Sequence, residues 1–253
     1  MALSTYAKNA LLNALFNNTA LQVAAAYWSL HTGDPGLAGA NEHSGSGYGT
    51  RPAMEFDAVA SAASANTNVE VQPTATGNWS QSTYAGLFDA ATSGNFLLGA
   101  QLTAAKTVLD GEQARMAAGA FDVSFAGMDE FGSTTLDNML KAILNNTELV
   151  VTQAYLSLHS ASPGQNGANE LSGSAYARIA ASFGAADAGA ISNDTELLFA
   201  EASGDWTAAS HFGLWTALTE GTFICGGSLT TPRTILSGKQ FRVAIGDIDI
   251  SIT

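Results

Sequence analysis

The stretch SLHTGDPGLAGANEHSG at residues 29–45 decides how this chain is read, because it returns as SLHSASPGQNGANELSG at residues 157–173. Leu30-His31 answers to Leu158-His159, and Gly39-Ala-Asn-Glu42 to Gly167-Ala-Asn-Glu170, at an offset of 128 residues. One deletion then lowers the offset to 127, at which Gly77-Asn-Trp79 matches Gly204-Asp-Trp206 and Gly86-Leu-Phe88 matches Gly213-Leu-Trp215. Matches in this order over the whole length identify two copies of one module, residues 1–127 and 128–253. The period is too long for a solenoid unit, so each copy is expected to be a domain with its own core. The join falls in a short acidic segment, Gly127–Gly132.

Working outward from the quoted loop, each copy opens with an amphipathic helix. Ser4 or Thr5 is positioned to cap the first, with Leu11, Leu12, Leu15 and Phe16 on one face at helical spacing. Thr134 or Thr135 is the expected cap of the second, with Leu136, Met139, Leu140, Ile143 and Leu144 as its apolar face. Asn17-Asn-Thr19 and Asn145-Asn-Thr147 close them, since asparagine tolerates the left-handed conformation at a helix end. The apolar face suits either the module's own sheet or a neighbouring subunit. Strand signals follow, at 21–30, 68–71, 83–88, 96–102, 106–109 and 121–125, with counterparts in the second copy. The last alternates as Phe-Asp-Val-Ser-Phe, and its twin as Ile248-Asp-Ile-Ser-Ile252. The expected fold is mainly β: two tandem antiparallel β-sandwich, jelly-roll-like domains, each preceded by a short amphipathic α-helix.

Composition excludes several functions. Nine basic residues stand against 22 acidic ones, a net charge of −13, and no basic stripe offers itself to nucleic acid or to an anionic membrane. No apolar run approaches the ~20 residues of a membrane span, and the first residues lack the pattern of a signal peptide. A soluble protein made in the cytoplasm is therefore expected. Charged residues make up only 12% of the chain, about half the usual share. A surface of small neutral side chains suits packing against many neighbours.

Candidate chemistry concentrates in the loops 31–48 and 159–176. The repeat filters it: His43 becomes Leu171 and Asp34 becomes Ser162, while His31/His159, Asn41/Asn169 and Glu42/Glu170 stand in both copies. One histidine and one carboxylate are too few for a metal site, so no metal and no cofactor is expected. The bland reading is that the histidine ends a strand and the glutamate fastens the loop through backbone N–H groups. Cys225 replaces Leu98 inside a strand and reads as a small buried hydrophobe. No G-x-S-x-G elbow occurs, and Gly45–Gly49 lacks the Lys-Ser/Thr of a phosphate loop. No catalytic residue is assigned, and the chain reads as non-enzymatic. Trp79 and Trp206, present in both copies, serve either as core anchors or as a paired glycan-stacking site.

Together, the quoted loop with Tyr48 and Arg51, its twin with Tyr176 and Arg178, and the later Trp79, Gly86-Leu-Phe88, Leu102-Thr103 and Lys106-Thr-Val108 resemble a family of bacteriophage virion proteins commonly labelled tail fibre proteins. Trp206, Gly213-Leu-Trp215, Leu229-Thr230 and Arg233-Thr-Ile235 repeat the pattern in the second copy. Family members usually resemble a single copy, so the duplication is a departure. The resemblance implies a virion structural component that decorates or cements the capsid or tail exterior through contacts with other virion proteins, as a homo-oligomer or symmetric array. The expected contact residues are Leu11, Leu15, His31, Asn41 and Glu42 in the first copy, and Met139, Ile143, His159, Asn169 and Glu170 in the second. The alternative is a receptor- or glycan-binding module using Trp79 and Trp206, and the third reading, a glycan hydrolase, needs a carboxylate pair that sequence alone does not reveal.

Overall fold

A computed structural model describes all 253 residues. The first half runs β1 (Ala2–Leu3), α1 (Thr5–Phe16), β2 (Ala26–His31), β3 (Ala53–Met54), β4 (Ala63–Ala65), β5 (Glu70–Val71), β6 (Ser82–Phe88), β7 (Phe96–Lys106), β8 (Arg115–Met116) and β9 (Asp122–Ser124). The second runs α2 (Ser133–Leu144), β10 (Ala154–His159), β11 (Ile179–Ala181), β12 (Ala190–Ser192), β13 (Leu197–Leu198), β14 (Ala209–Trp215), β15 (Phe223–Arg233), β16 (Arg242–Val243) and β17 (Asp249–Ser251). The main sheets have the orders β1-β7-β6-β2-β3 and β11-β10-β14-β15, antiparallel throughout. A bridge from Phe131 to Cys225 stands where β1 would be in the second half.

The mainly β, helix-first tandem fold is the expected one, but the layers are unequal. Instead of a second full sheet, each half carries two short ribbons, β4–β9 with β5–β8, and β12–β17 with β13–β16. Two equal sheets of a jelly roll are not formed. The 106–109 segment makes no strand of its own, because β7 runs on to Lys106 and stops there. The 21–30 run starts as a strand only at Ala26; Leu21 is used elsewhere.

Helix α1 is capped by Ser4, whose Oγ accepts from the Ala7 N–H at 2.9 Å and donates to Phe96 O. Helix α2 corrects the expectation of a threonine cap: its N-cap is Gly132, without a side-chain bond. A side chain at Gly132 would run into Phe223 O. Thr135 instead donates to that carbonyl at 2.8 Å, replacing the bond that Ser4 makes to the equivalent Phe96. Asn18 and Asn146 adopt φ of 50° and 51° just past the two helices, as the asparagine signal foretold.

The helices pack twice. Helix α1 touches its own β7 and also β12 of the other half; α2 touches β15 and β4. The contacts come in pairs that exchange when the halves are swapped. Leu21 and Leu149 trade N–H···O bonds with each other at 2.9 Å each way. Val23 donates to Ala142 O and Val151 to Ala14 O, at 2.9 and 2.8 Å. Asn17 Nδ2 reaches Gly184 O, and Asn145 Nδ2 reaches Asp57 O. Asn9 Oδ1 accepts from Gly189 N–H, and Asp137 Oδ1 from Ala62 N–H. Such reciprocity is the mark of an isologous, two-fold interface, here within one chain. The buried apolar side chains accordingly form one continuous cluster of 57 residues spanning both halves. This corrects the reading of Leu11, Leu15, Met139 and Ile143 as contacts for other virion proteins. They are 0%, 1%, 0% and 1% exposed inside the chain, because the second repeat already occupies the place of the neighbouring subunit.

Candidate functional site

Both faces of β2 and β10 are buried, which an exposed sheet face would not permit. One face carries Trp28 and Leu30 toward the core; the other carries Ser29 and His31. The second face is covered by the loop that follows the strand. His31 Nδ1 lies 2.7 Å from Ala40 O, and only an N–H can meet a carbonyl, so Nδ1 carries the proton. Nε2 then accepts from Ser29 Oγ at 2.9 Å. His159 repeats this with Ala168 O at 2.6 Å and Ser157 Oγ at 2.8 Å. The close approach requires glycine beneath the ring: a Cβ on Gly86 would lie 2.6 Å from Phe96 and 3.1 Å from His31 Nε2. Gly39 and Gly167 turn the loop at φ of 76° and 74°, where a side chain would strike Phe88 or Trp215.

The far end of the loop is locked by an arginine. Arg51 Nε and Nη2 meet the two oxygens of Glu42 at 2.7 Å each, while Nη1 donates to Ala90 O and Ser93 O. Its guanidinium lies 3.5 Å over the Phe88 ring. Tyr48 donates to Glu42 at 2.9 Å and accepts from the Leu30 N–H. Arg178 does the same with Glu170, Ala217 O, Glu220 O and, at 3.7 Å, the Trp215 ring. The guanidinium fork matches a carboxylate and stacks on an aromatic face, which lysine would not reproduce. Each half therefore contains a buckle: strand end, loop, carboxylate, arginine and aromatic ring, closed on itself.

The expected site residues divide accordingly. His31 and His159 are fully buried fasteners, which corrects their reading as partner contacts. Glu42 and Glu170 fasten the loop as expected, but through arginine and tyrosine side chains rather than backbone N–H groups. Asn41 and Asn169 are exposed, with φ of 60° and 63°, and their side-chain amides donate across the loop to Asp34 O and Ser162 O. Trp79 and Trp206 are 5% and 4% exposed, and their indole N–H groups are taken by Ser46 O and Ser174 O at 2.8 and 2.9 Å. Neither offers a face to a sugar, so of the two readings, core anchor or paired glycan site, burial supports the core anchor. Arg51 and Arg178, noted only as motif residues, hold the buckle; the repeat carried the signal, since each copy keeps an arginine downstream of the glutamate. Arg242 meets Glu196 of its own chain at 2.8 Å. Cys225 is fully buried, which pushes its thiol far above the ordinary range.

Burial holds the imidazoles of His31 and His159 below their ordinary value, against the raising effect of the carbonyl bond. The unfolded chain then takes up protons that the folded one refuses, so stability is complete above pH of about 6.5 and falls as the pH drops below it. His43, also lowered by burial, adds to the trend. Thermal melts from pH 7.5 to 5 are expected to show this slope. The double variant His31→Gln/His159→Gln is expected to flatten it, and an unchanged slope would refute the assignment.

Residues 2–124 and 131–251 each match the podophage GP4 fiber I protein gp80 family. The chain belongs to that family. It is thus a phage structural protein in which the gp80 module occurs twice, joined through residues 125–130. No curated protein matches it. No helix is long and apolar enough to cross a membrane.

Proposed function

We propose that the chain is a non-enzymatic structural segment of a phage tail fibre, holding two gp80 modules in a fixed two-fold relation and meeting other virion proteins through its outward loops. The observation that carries this reading is the paired buckle. Most of what the two repeats keep in common is interior: the Ser-His-carbonyl fastener, the Glu-Arg-aromatic lock and the tryptophan anchor. The Ser29–His31 pair has the proximity of a nucleophile and its base, yet both residues are 0% exposed. A substrate would have to displace the loop to reach them. The duplicated chemistry therefore serves rigidity, which suits a fibre under load.

The outer surface supports assembly. Its low charge suits contact over a broad area in which shape decides more than ion pairs. The loop rims present Leu37, Asn41 and Asn169 to solvent, with Leu218 and Ile245 exposed elsewhere. Tail placement rests on the family's namesake; decoration of the capsid is the competing location. Cryo-electron microscopy of the particle is expected to show paired modules on the tail. Density spread over the capsid shell would overturn the tail placement, and absence from purified particles would overturn the structural role.

A further inference from the structure

The two repeats differ in how one place in the core is filled. In the second, Phe212 of β14 lies across Gly227 of β15, and Phe241 packs edge-on against Phe199 at 5.9 Å. In the first, the residues at the positions of Phe212, Phe241 and Phe199 are Ala85, Ala114 and Gln72. The space those rings fill is left as a cavity of about 630 Å³ between the main sheet and the β5–β8 ribbon. That volume falls within the range of small-molecule pockets.

Its walls are not simply a packing fault. The floor is apolar, with Leu30, Ala85, Ala114 and Phe121, and includes Trp28, which stands where the second repeat has Leu156. Trp28 is 1% exposed and its indole N–H has no partner. Gln72 does not line the cavity, but it is also 1% exposed, donates from Nε2 to Trp28 O at 3.0 Å and leaves its own Oε1 unpartnered. A buried donor and acceptor without partners are costly to keep, and the second repeat avoids both by using leucine and phenylalanine. The mouth carries two cations, Lys106 and Arg115, against two anions, Glu112 and Asp122, so it offers a charged ligand no net attraction.

We propose that this cavity is a ligand site of the first repeat alone, taking a neutral amphipathic small molecule whose apolar body lies against the floor and whose carbonyl or ether oxygen accepts from the Trp28 indole N–H. The site is independent of where on the virion the chain sits.

The test is titration of the full chain with prodan, a neutral naphthalene ketone whose emission shifts to the blue in apolar surroundings. One saturable site per chain with blue-shifted emission is expected. Ala85→Phe/Ala100→Gly/Ala114→Phe, which installs the second repeat's residues together with the glycine that Phe212 lies across, is expected to retain the fold by thermal melting and to lose binding. Trp28→Phe keeps a ring and removes the donor, and is expected to weaken binding about tenfold. No saturable binding by the unaltered chain would mean that the cavity holds water only and would overturn the proposal. Undiminished binding in a folded Ala85→Phe/Ala100→Gly/Ala114→Phe chain would overturn the location. Equal affinity in Trp28→Phe would overturn the part given to the indole.

Discussion

Replacing Arg51 by methionine is expected to cost the fold about 3–5 kcal/mol, the range for removing one partner of a buried ion pair. Arg51 and Glu42 are 7% and 20% exposed, so the carboxylate left behind is largely cut off from water. Ala90 O and Ser93 O lose their donor at the same time, and Phe88 loses the cation over its ring. Tyr48 still donates to Glu42 but cannot neutralise it. Arg51→Lys is expected to recover little, since a single ammonium does not span both carboxylate oxygens and two carbonyls. Arg242→Met is the control: that pair is 62% and 46% exposed, and exposed pairs are worth about 0–1 kcal/mol. Urea unfolding of the three variants checks the ranking, and an Arg51→Met loss no larger than that of Arg242→Met would remove the buckle from the account of stability.

Much of this was legible in the sequence because the chain contains its own comparison. The repeat offset marked His31, Glu42 and Trp79 as meaningful, and dismissed His43 and Asp34 as particular to one copy. Alternation found β9 and β17, and helical spacing with asparagine stops found α1 and α2 within a residue or two. What periodicity could not supply was the identity of the surface that each apolar stripe meets. Leu11 and Met139 look the same in sequence whether the partner is a separate subunit or the other half of the chain. Only the three-dimensional return of residues 149–151 onto residues 14–21 distinguishes them.

The tryptophans stayed open between core and sugar for a related reason. A residue kept in both copies is kept for some contact, and an aromatic ring serves a core and a sugar equally well. Burial of the ring and the use of its N–H by Ser46 O or Ser174 O decide the matter, and neither can be read from spacing. The buckle's arginines were missed because a glutamate and an arginine nine residues apart in one copy and eight in the other form no regular pattern. Their pairing depends on the loop folding back over Phe88, held at its turn by Gly39.

Replacing Phe16 by alanine is expected to destabilise both repeats together, by about 3–5 kcal/mol for a buried phenylalanine. Phe16 belongs to the first repeat, but its ring meets Phe183 of the second at 4.7 Å. A module whose core closed on itself would confine the damage to its own half, and the chain would melt in two steps. Here the helices cross between halves and the buried cluster is continuous, so unfolding one repeat strips the other of its covering helix. Trp28 and Trp79 report on the first repeat and Trp206 and Trp215 on the second. Variants keeping one pair and replacing the other by phenylalanine are therefore expected to give coincident melting curves, shifted down alike by Phe16→Ala. Trp206 and Trp215 melting at an unshifted temperature after Phe16→Ala would show two independent domains, and the two-fold contact would then be mere adjacency. Coincidence would mean that duplication has made the interface between modules part of the folding unit itself.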